Sequence, residues 1–301
     1  MWRSALRICA SAMLLGFFPS SVWCHAAVET RIDEAARLLA ASDPRIAKLD
    51  ETQRIRLTEF VVGNTLFALA HEFGHAVISV FQLPVLGKEE DAADTFATLA
   101  LLHVGTDFSQ TVLIDAARGL ALLAKHDAEL GEPLRFYEEH GLDQQRAYQI
   151  ACLMYGSDPR RFGDLADRAK LPPERQETCV QDLADAQDSW FRLLQKHFRS
   201  RPSFMERLLR VPQEIPRNKI TIIYRKAPPQ MAVYRDVLMK VGVLEAVRNF
   251  ADESFTLPQR LKIEAESCEE PNAYWDPGRR RLGLCYQLVA GYTELALRVR
   301  P

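Results

Sequence analysis

Five consecutive residues, His71-Glu72-Phe73-Gly74-His75, constrain this chain more than any other feature. On a helix, histidines four residues apart project from one face. At that spacing two neutral imidazoles can bind one Zn²⁺, with the intervening Glu72 close enough to act on a water held by the metal. The flanks are apolar: Phe60-Val61-Val62 and Leu66-Phe67-Ala68-Leu69-Ala70 precede the motif, and Ala76-Val77-Ile78 and Val80-Phe81 follow it. A helix apolar on most of its surface is buried. Burying two histidines and a glutamate together is unfavourable without a compensating partner, and a metal ion is the simplest one. The pattern predicts a helix over about 57–81. Gly74 falls in its middle, where glycine costs about 1 kcal/mol relative to alanine. Its presence implies that another backbone or a substrate comes close.

A catalytic zinc site takes three protein ligands and leaves one position open. The helical pattern breaks at Leu83-Pro84-Val85-Leu86-Gly87, and a second helix is expected over about 89–102. Within it Glu90 and Asp94 are also four residues apart and share a face. His71, His75 and Glu90 are therefore the expected metal ligands. Asp94 is expected behind one of the histidines, accepting a hydrogen bond from its far ring nitrogen and fixing its tautomer. Spacing leaves Glu89 and Asp91 open as alternative third ligands. The competing reading of the acidic cluster is a solvated first turn, which helix N-termini favour in any case.

HExxH followed one short helix later by ExxxD resembles the glutamate-zinc peptidases (gluzincins), in which the stretch between the motifs is somewhat longer. Longer blocks resemble a bacterial metallopeptidase family catalogued as a domain of unknown function. They are Asn64-Thr65-Leu66-Phe67, residues 83–94, Gln144-Gln145-Arg146-Ala147-Tyr148, Tyr155-Gly156-Ser157-Asp158-Pro159, Leu171-Pro172-Pro173-Glu174-Arg175, Asn272-Ala273-Tyr274 and Cys285-Tyr286. The resemblance covers nearly all of the chain after its first few dozen residues. It implies a zincin-like fold, a single bound Zn²⁺, and a peptide or protein substrate whose bond is hydrolysed by a zinc-activated water with Glu72 as general base. It does not imply which substrate. The alternatives are a zinc hydrolase of a non-peptide amide and a non-catalytic peptide- or protein-binding protein on a peptidase fold. Glu72 weighs against the second, since a structural metal site has no use for a general base.

Acyl hydrolysis also needs a donor for the developing oxyanion. Tyr148, Tyr155, His140, Tyr274 and Tyr286 are open candidates, whereas His103, His126 and His197 lie on helical stretches with no partner motif and read as structural.

At 301 residues the chain suffices for one large domain or two small ones, and its formal net charge is −2. The tight basic run Arg279-Arg280-Arg281 follows Asp276-Pro277-Gly278 and reads as a solvated turn, so nucleic-acid binding has no support. Residues 1–27 read as a signal peptide: Arg3 and Arg7, an apolar core over 8–18 too short to span a bilayer, then Cys24-His25-Ala26-Ala27 with small residues for cleavage. Bulky Trp23 argues against a lipoprotein cut at Cys24, and no later segment is apolar enough to cross a membrane. The expected protein is periplasmic or secreted without a stable membrane anchor. Four cysteines remain, an even number that suits an oxidising compartment. The favoured pairs are Cys152–Cys179 and Cys268–Cys285, each closing a loop between neighbouring elements.

Residues 28–301 are expected to form one α+β, mostly helical domain, helical over 28–212 and mixed over 213–301. Further helices are expected over about 113–126, 172–198 and 239–250, with a break at Asp43-Pro44; the stretch 133–153 contains Asp143-Gln144-Gln145-Arg146, a helix start, and ends at Gly156-Ser157-Asp158-Pro159. Lys219-Ile220-Thr221-Ile222-Ile223-Tyr224 is β-branched and strand-like. Residues 261–266 and 282–288 alternate with period two and read as an antiparallel hairpin closed by Cys268–Cys285. Many zinc peptidases lay a small sheet over the HExxH helix, and its edge strand pairs with extended substrate. Those strands usually precede the motif; here they follow it.

Overall fold

Asp50 sets the start of the helix on which the rest is built. Its carboxylate accepts from the Gln53 backbone N–H at 2.8 Å, and the Gln53 side chain accepts from Asp50 N–H at 3.1 Å. This reciprocal cap satisfies two amides that would otherwise lack partners at a helix start. In a computed structural model of the chain, which describes residues 25–199 and 217–299, the helix runs unbroken over Glu51–Phe81. It begins one and a half turns earlier than the apolar pattern predicts, because its first turns are polar and the cap, not hydrophobicity, defines its start.

Eleven α-helices and four strands are described. In chain order the helices are α1 (His25–Ser42), α2 (Pro44–Ala47), α3 (Glu51–Phe81), α4 (Glu89–Val104), α5 (Asp107–Leu130), α6 (Asp143–Ser157), α7 (Pro159–Arg168), α8 (Pro173–Leu194), α9 (Ala232–Val241), α10 (Val243–Ser254) and α11 (Tyr286–Val299). The strands are β1 (Ile220–Tyr224), β2 (Leu261–Glu266), β3 (Ala273–Asp276) and β4 (Arg281–Cys285). The helical part is α1 to α8, and the sheet lies in the C-terminal part, as an α+β chain requires. One contiguous apolar cluster joins the two parts, running from Leu57 and Phe60 on α3 through Phe96 and Val112 to Ile263, Leu282 and Leu284 of the sheet.

The expected signal peptide over 1–27 lies outside the described residues except for 25–27, whose backbone opens α1. Among the described residues no helix is long and apolar enough to cross a membrane. Residues 133–142 form turns and loop, and α6 starts at Asp143, the helix start that the sequence marks. Gly131, Pro133 and Gly141 punctuate that stretch, and Gly131 ends α5 at φ 72°. The helix expected over 239–250 is two, α9 and α10, broken at Gly242 with φ 82°.

The sheet departs most from expectation. Its order is β1-β2-β4-β3, with β1 parallel to β2 and β2 parallel to β4. Residues 261–266 and 281–285 are thus not an antiparallel hairpin. The antiparallel partner of β4 is the four-residue β3, which comes between them in sequence, lies on the far side of β4 in the sheet and uses the Asp276-Pro277-Gly278 turn. Parallel neighbours need a crossover, and the segment carrying β3 supplies it. Cys268 and Cys285 are bonded, tying the exit of β2 to the end of β4. Cys152 on α6 is bonded to Cys179 on α8.

Candidate metal centre

The chain reverses sharply after α3. Gln82 adopts a left-handed conformation at φ 52°, and Leu83 N–H closes onto Ile78 C=O at 3.0 Å. Seven residues later α4 sets out with Glu89, Glu90 and Asp91 in its first turn, where the helix dipole favours carboxylates. It lies close against α3 because of Gly74. A Cβ added there would stand 3.1 Å from Ala93 Cα and 3.2 Å from Ala93 C=O. Ala93 lies between Glu90 and Asp94 in sequence, so the missing methyl is what lets both carboxylates reach the histidines.

The result is a compact triangle. His71 Nε2 and His75 Nε2 are 3.2 Å apart, and Glu90 Oε2 lies 3.1 Å from the first and 3.4 Å from the second. Tetrahedral zinc with bonds of about 2.0–2.1 Å spaces its ligand atoms by roughly 3.3 Å, so this donor set fits. The far ring nitrogens agree. His71 Nδ1 stands 2.7 Å from Asp94 Oδ1, and His75 Nδ1 stands 2.8 Å from Glu89 Oε1. With Nδ1 donating to a carboxylate, each neutral imidazole turns its Nε2 lone pair toward the other and toward Glu90. Three lone pairs directed at one point call for a cation.

Asp94 thus stands behind His71, where the sequence places it. Glu89, open in the sequence as a third ligand, lies on the outer side of His75 instead. Asp91 is exposed, facing Gly141 across the entry to α6. Asp94 is itself held by Arg146, which the sequence reading did not assign to the site. Arg146 Nε donates to Asp94 Oδ2 at 2.7 Å and its Nη2 to Oδ1 at 2.9 Å. Burial pushes the Asp94 carboxyl up, but the hydrogen bonds from Arg146 and His71 outweigh it and hold it down at about 2. Burial pushes His71 down, yet Asp94 and Glu90 raise it to about 9. Burial also acts upward on Glu90, whose bonds from His140, His71 and His75 keep it well below the usual carboxylate range.

Glu72 sits in this field with the opposite balance. Burial raises its carboxyl, partly countered by the charges of His71 and His75 and by the backbone N–H of Trp275. That amide belongs to β3. Cys285 N–H donates to Asn272 C=O at 2.9 Å, so by the alternation of an antiparallel ladder Tyr274 and Asp276 bond to β4 while Ala273 and Trp275 turn their backbone groups to the free edge. This edge of β3, which pairs with no strand among the described residues, therefore faces the HExxH helix.

Of the five oxyanion candidates only His140 reaches the triangle. Its Nε2 lies 2.7 Å from Glu90 Oε2, its ring stacks on His71 at 5.8 Å, and it is half exposed. The turn carrying it is tied to α4 by Lys88 Nζ, which donates to Glu138 C=O at 2.9 Å. Tyr148 and Tyr155 pack around the Cys152–Cys179 bond. Tyr286 is buried with its hydroxyl 2.7 Å from Arg225 C=O, and Tyr274 lies over Gly283 and accepts from Arg281 at 2.6 Å. His126 pairs with Arg298, His197 stacks on Phe81, and His103 is exposed near the end of α4.

The sequence profile of one protein family, DUF4344, whose description is "Putative metallopeptidase", matches residues 26–194 and 225–299. That span includes every residue of the triangle and of its support. No curated protein and no solved structure matches the chain.

Proposed function

The chain belongs to the DUF4344 metallopeptidase family, and from that membership we propose that it is a zinc-dependent peptidase of zincin-like arrangement. The observation that carries the reading is the convergence of His71 Nε2, His75 Nε2 and Glu90 Oε2 within 3.4 Å of one another beside half-buried Glu72. A zinc ion held by these three would supply Lewis acidity, polarising a scissile carbonyl and making an attacking water more acidic. Glu72 would take the proton of that water and deliver it to the leaving amine. Its burial makes it a stronger base than a surface glutamate. His140, half exposed and in contact with the metal-facing oxygen of Glu90, is the side chain best placed to donate to the carbonyl oxygen as charge develops. The free edge of β3 offers the Ala273 backbone groups and the Trp275 C=O to an extended chain, the Trp275 N–H being taken by Glu72, which favours a peptide or protein over a compact amide.

Export is part of the proposal. It rests on the signal-like segment over 1–27 and on two disulfides that suit an oxidising compartment. The test is incubation of the zinc-loaded chain with an unfolded protein, with products read by mass spectrometry. Wild type should cleave it, and Glu72→Gln should be slower by about 10²–10⁴-fold while keeping its zinc. Equal cleavage by zinc-loaded Glu72→Gln, or none by wild type across a broad peptide library, contradicts the reading.

A further inference from the structure

The two histidines of the triangle are not held alike. His75 is backed by Glu89, whose side chain is 48 % exposed and therefore free to exchange its partner for water. His71 is backed by Asp94, whose side chain is only 4 % exposed and whose two oxygens are both gripped by the Arg146 guanidinium. Oδ1 takes the His71 Nδ1 proton at 2.7 Å and the Arg146 Nη2 proton at 2.9 Å, while Oδ2 takes Arg146 Nε–H at 2.7 Å. A planar fork on both oxygens fixes the plane of the carboxylate as well as its place. The acceptor that orients His71 thus cannot rotate away without breaking two charged bonds in a buried site.

Arg146 comes from a third element. It lies in the early turns of α6, whose start is capped by Gln145 onto Leu142 N–H at 3.2 Å and which the Cys152–Cys179 bond fastens to α8. The brace on His71 is therefore anchored outside the α3–α4 pair that supplies the ligands.

We infer that Arg146 is a positioning residue for the metal: acting through Asp94, it locks His71 as the fixed ligand, while His75, supported by exposed Glu89, is the adjustable one. The inference rests on the metal reading of the triangle but not on peptide cleavage. Binding of metal with no cleavage of peptide would remove the peptidase reading and leave this one standing.

The experiment measures zinc affinity of the full chain by competition with a chromogenic chelator and records the visible spectrum of the Co²⁺-loaded protein. The variants are Arg146→Gln, Arg146→Lys, Asp94→Asn, the Arg146→Gln/Asp94→Asn double and Glu89→Gln. Arg146→Gln is expected to weaken zinc binding by about 10–100-fold, the range typical of residues that support metal ligands. Arg146→Lys, with charge but no fork, should recover part of that loss and shift the Co²⁺ bands. The double should bind no more weakly than Asp94→Asn alone, because both act through one contact. Glu89→Gln should lose less than Arg146→Gln. Wild-type affinity and an unmoved Co²⁺ spectrum in Arg146→Lys, should the Gln variant not fold, would overturn the inference. So would losses that simply add in the double, a Glu89→Gln loss as large as that of Arg146→Gln, or a wild type that takes up neither metal, which would remove the metal reading as well.

Discussion

His71 faces two demands that conflict. As a ligand it must be neutral, yet in the metal-free form burial, which pushes it down, is outweighed by Asp94 and Glu90, which raise it to about 9. At neutral pH the metal-free protein therefore carries a proton where the zinc would bind, and uptake must expel it. Calorimetric titration with zinc at pH 7 in two buffers of different ionisation enthalpy should show proton release; identical heats would contradict this. Stability carries the same signature. The folded value lies above the unfolded value of about 6.5, so this contribution is fully present below that pH and lost as pH rises toward about 9. Metal-free protein should lose melting temperature across that window, and zinc-loaded protein should lose much less.

At the scale of elements the site is a crossing of two helices. The sequence makes one of them legible because its chemistry is local: two histidines and a glutamate within five residues, between apolar flanks on one helix. Glu90 and Asp94 are legible for the same reason, four residues apart after a short turn. Arg146 is not, because its partner lies 52 residues away and nothing local marks an arginine that will be half-buried against a carboxylate. β3 escapes as well: four residues between Pro271-Asn272 and Pro277-Gly278 show no period, yet it places Trp275 on Glu72. The period-two pattern finds β2 and β4 but not their pairing, since alternation marks a face and not a neighbour. Gly74 is a case where the sequence poses the question and packing answers it, because the approaching backbone is Ala93. Gly74→Val should push α4 away, cost about 1–3 kcal/mol by overpacking, and lower zinc affinity; unchanged melting and affinity would show that the crossing has slack. The sheet end is held by Cys268–Cys285, which closes a 17-residue separation. Its loss in Cys268→Ser/Cys285→Ser should cost about 3 kcal/mol on loop-closure grounds, measured by denaturant unfolding.

For the whole molecule, a metal bound by α3 and α4 and braced from α6 should act as a cross-link on the folded state alone. Ligand linkage then gives about 4 kcal/mol at a thousandfold excess over the dissociation constant, so chelation should lower the melting temperature and zinc should restore it. The most direct test is the zinc content of the purified protein by elemental analysis, with wild type beside His71→Ala, Glu90→Ala and Glu72→Gln. About one equivalent of zinc is expected in wild type and in Glu72→Gln, with little in the two ligand variants, since a catalytic site takes three protein ligands and Glu72 is not among them. No zinc in wild type after zinc is offered, or full zinc in His71→Ala, would contradict a metal centre built on His71, His75 and Glu90.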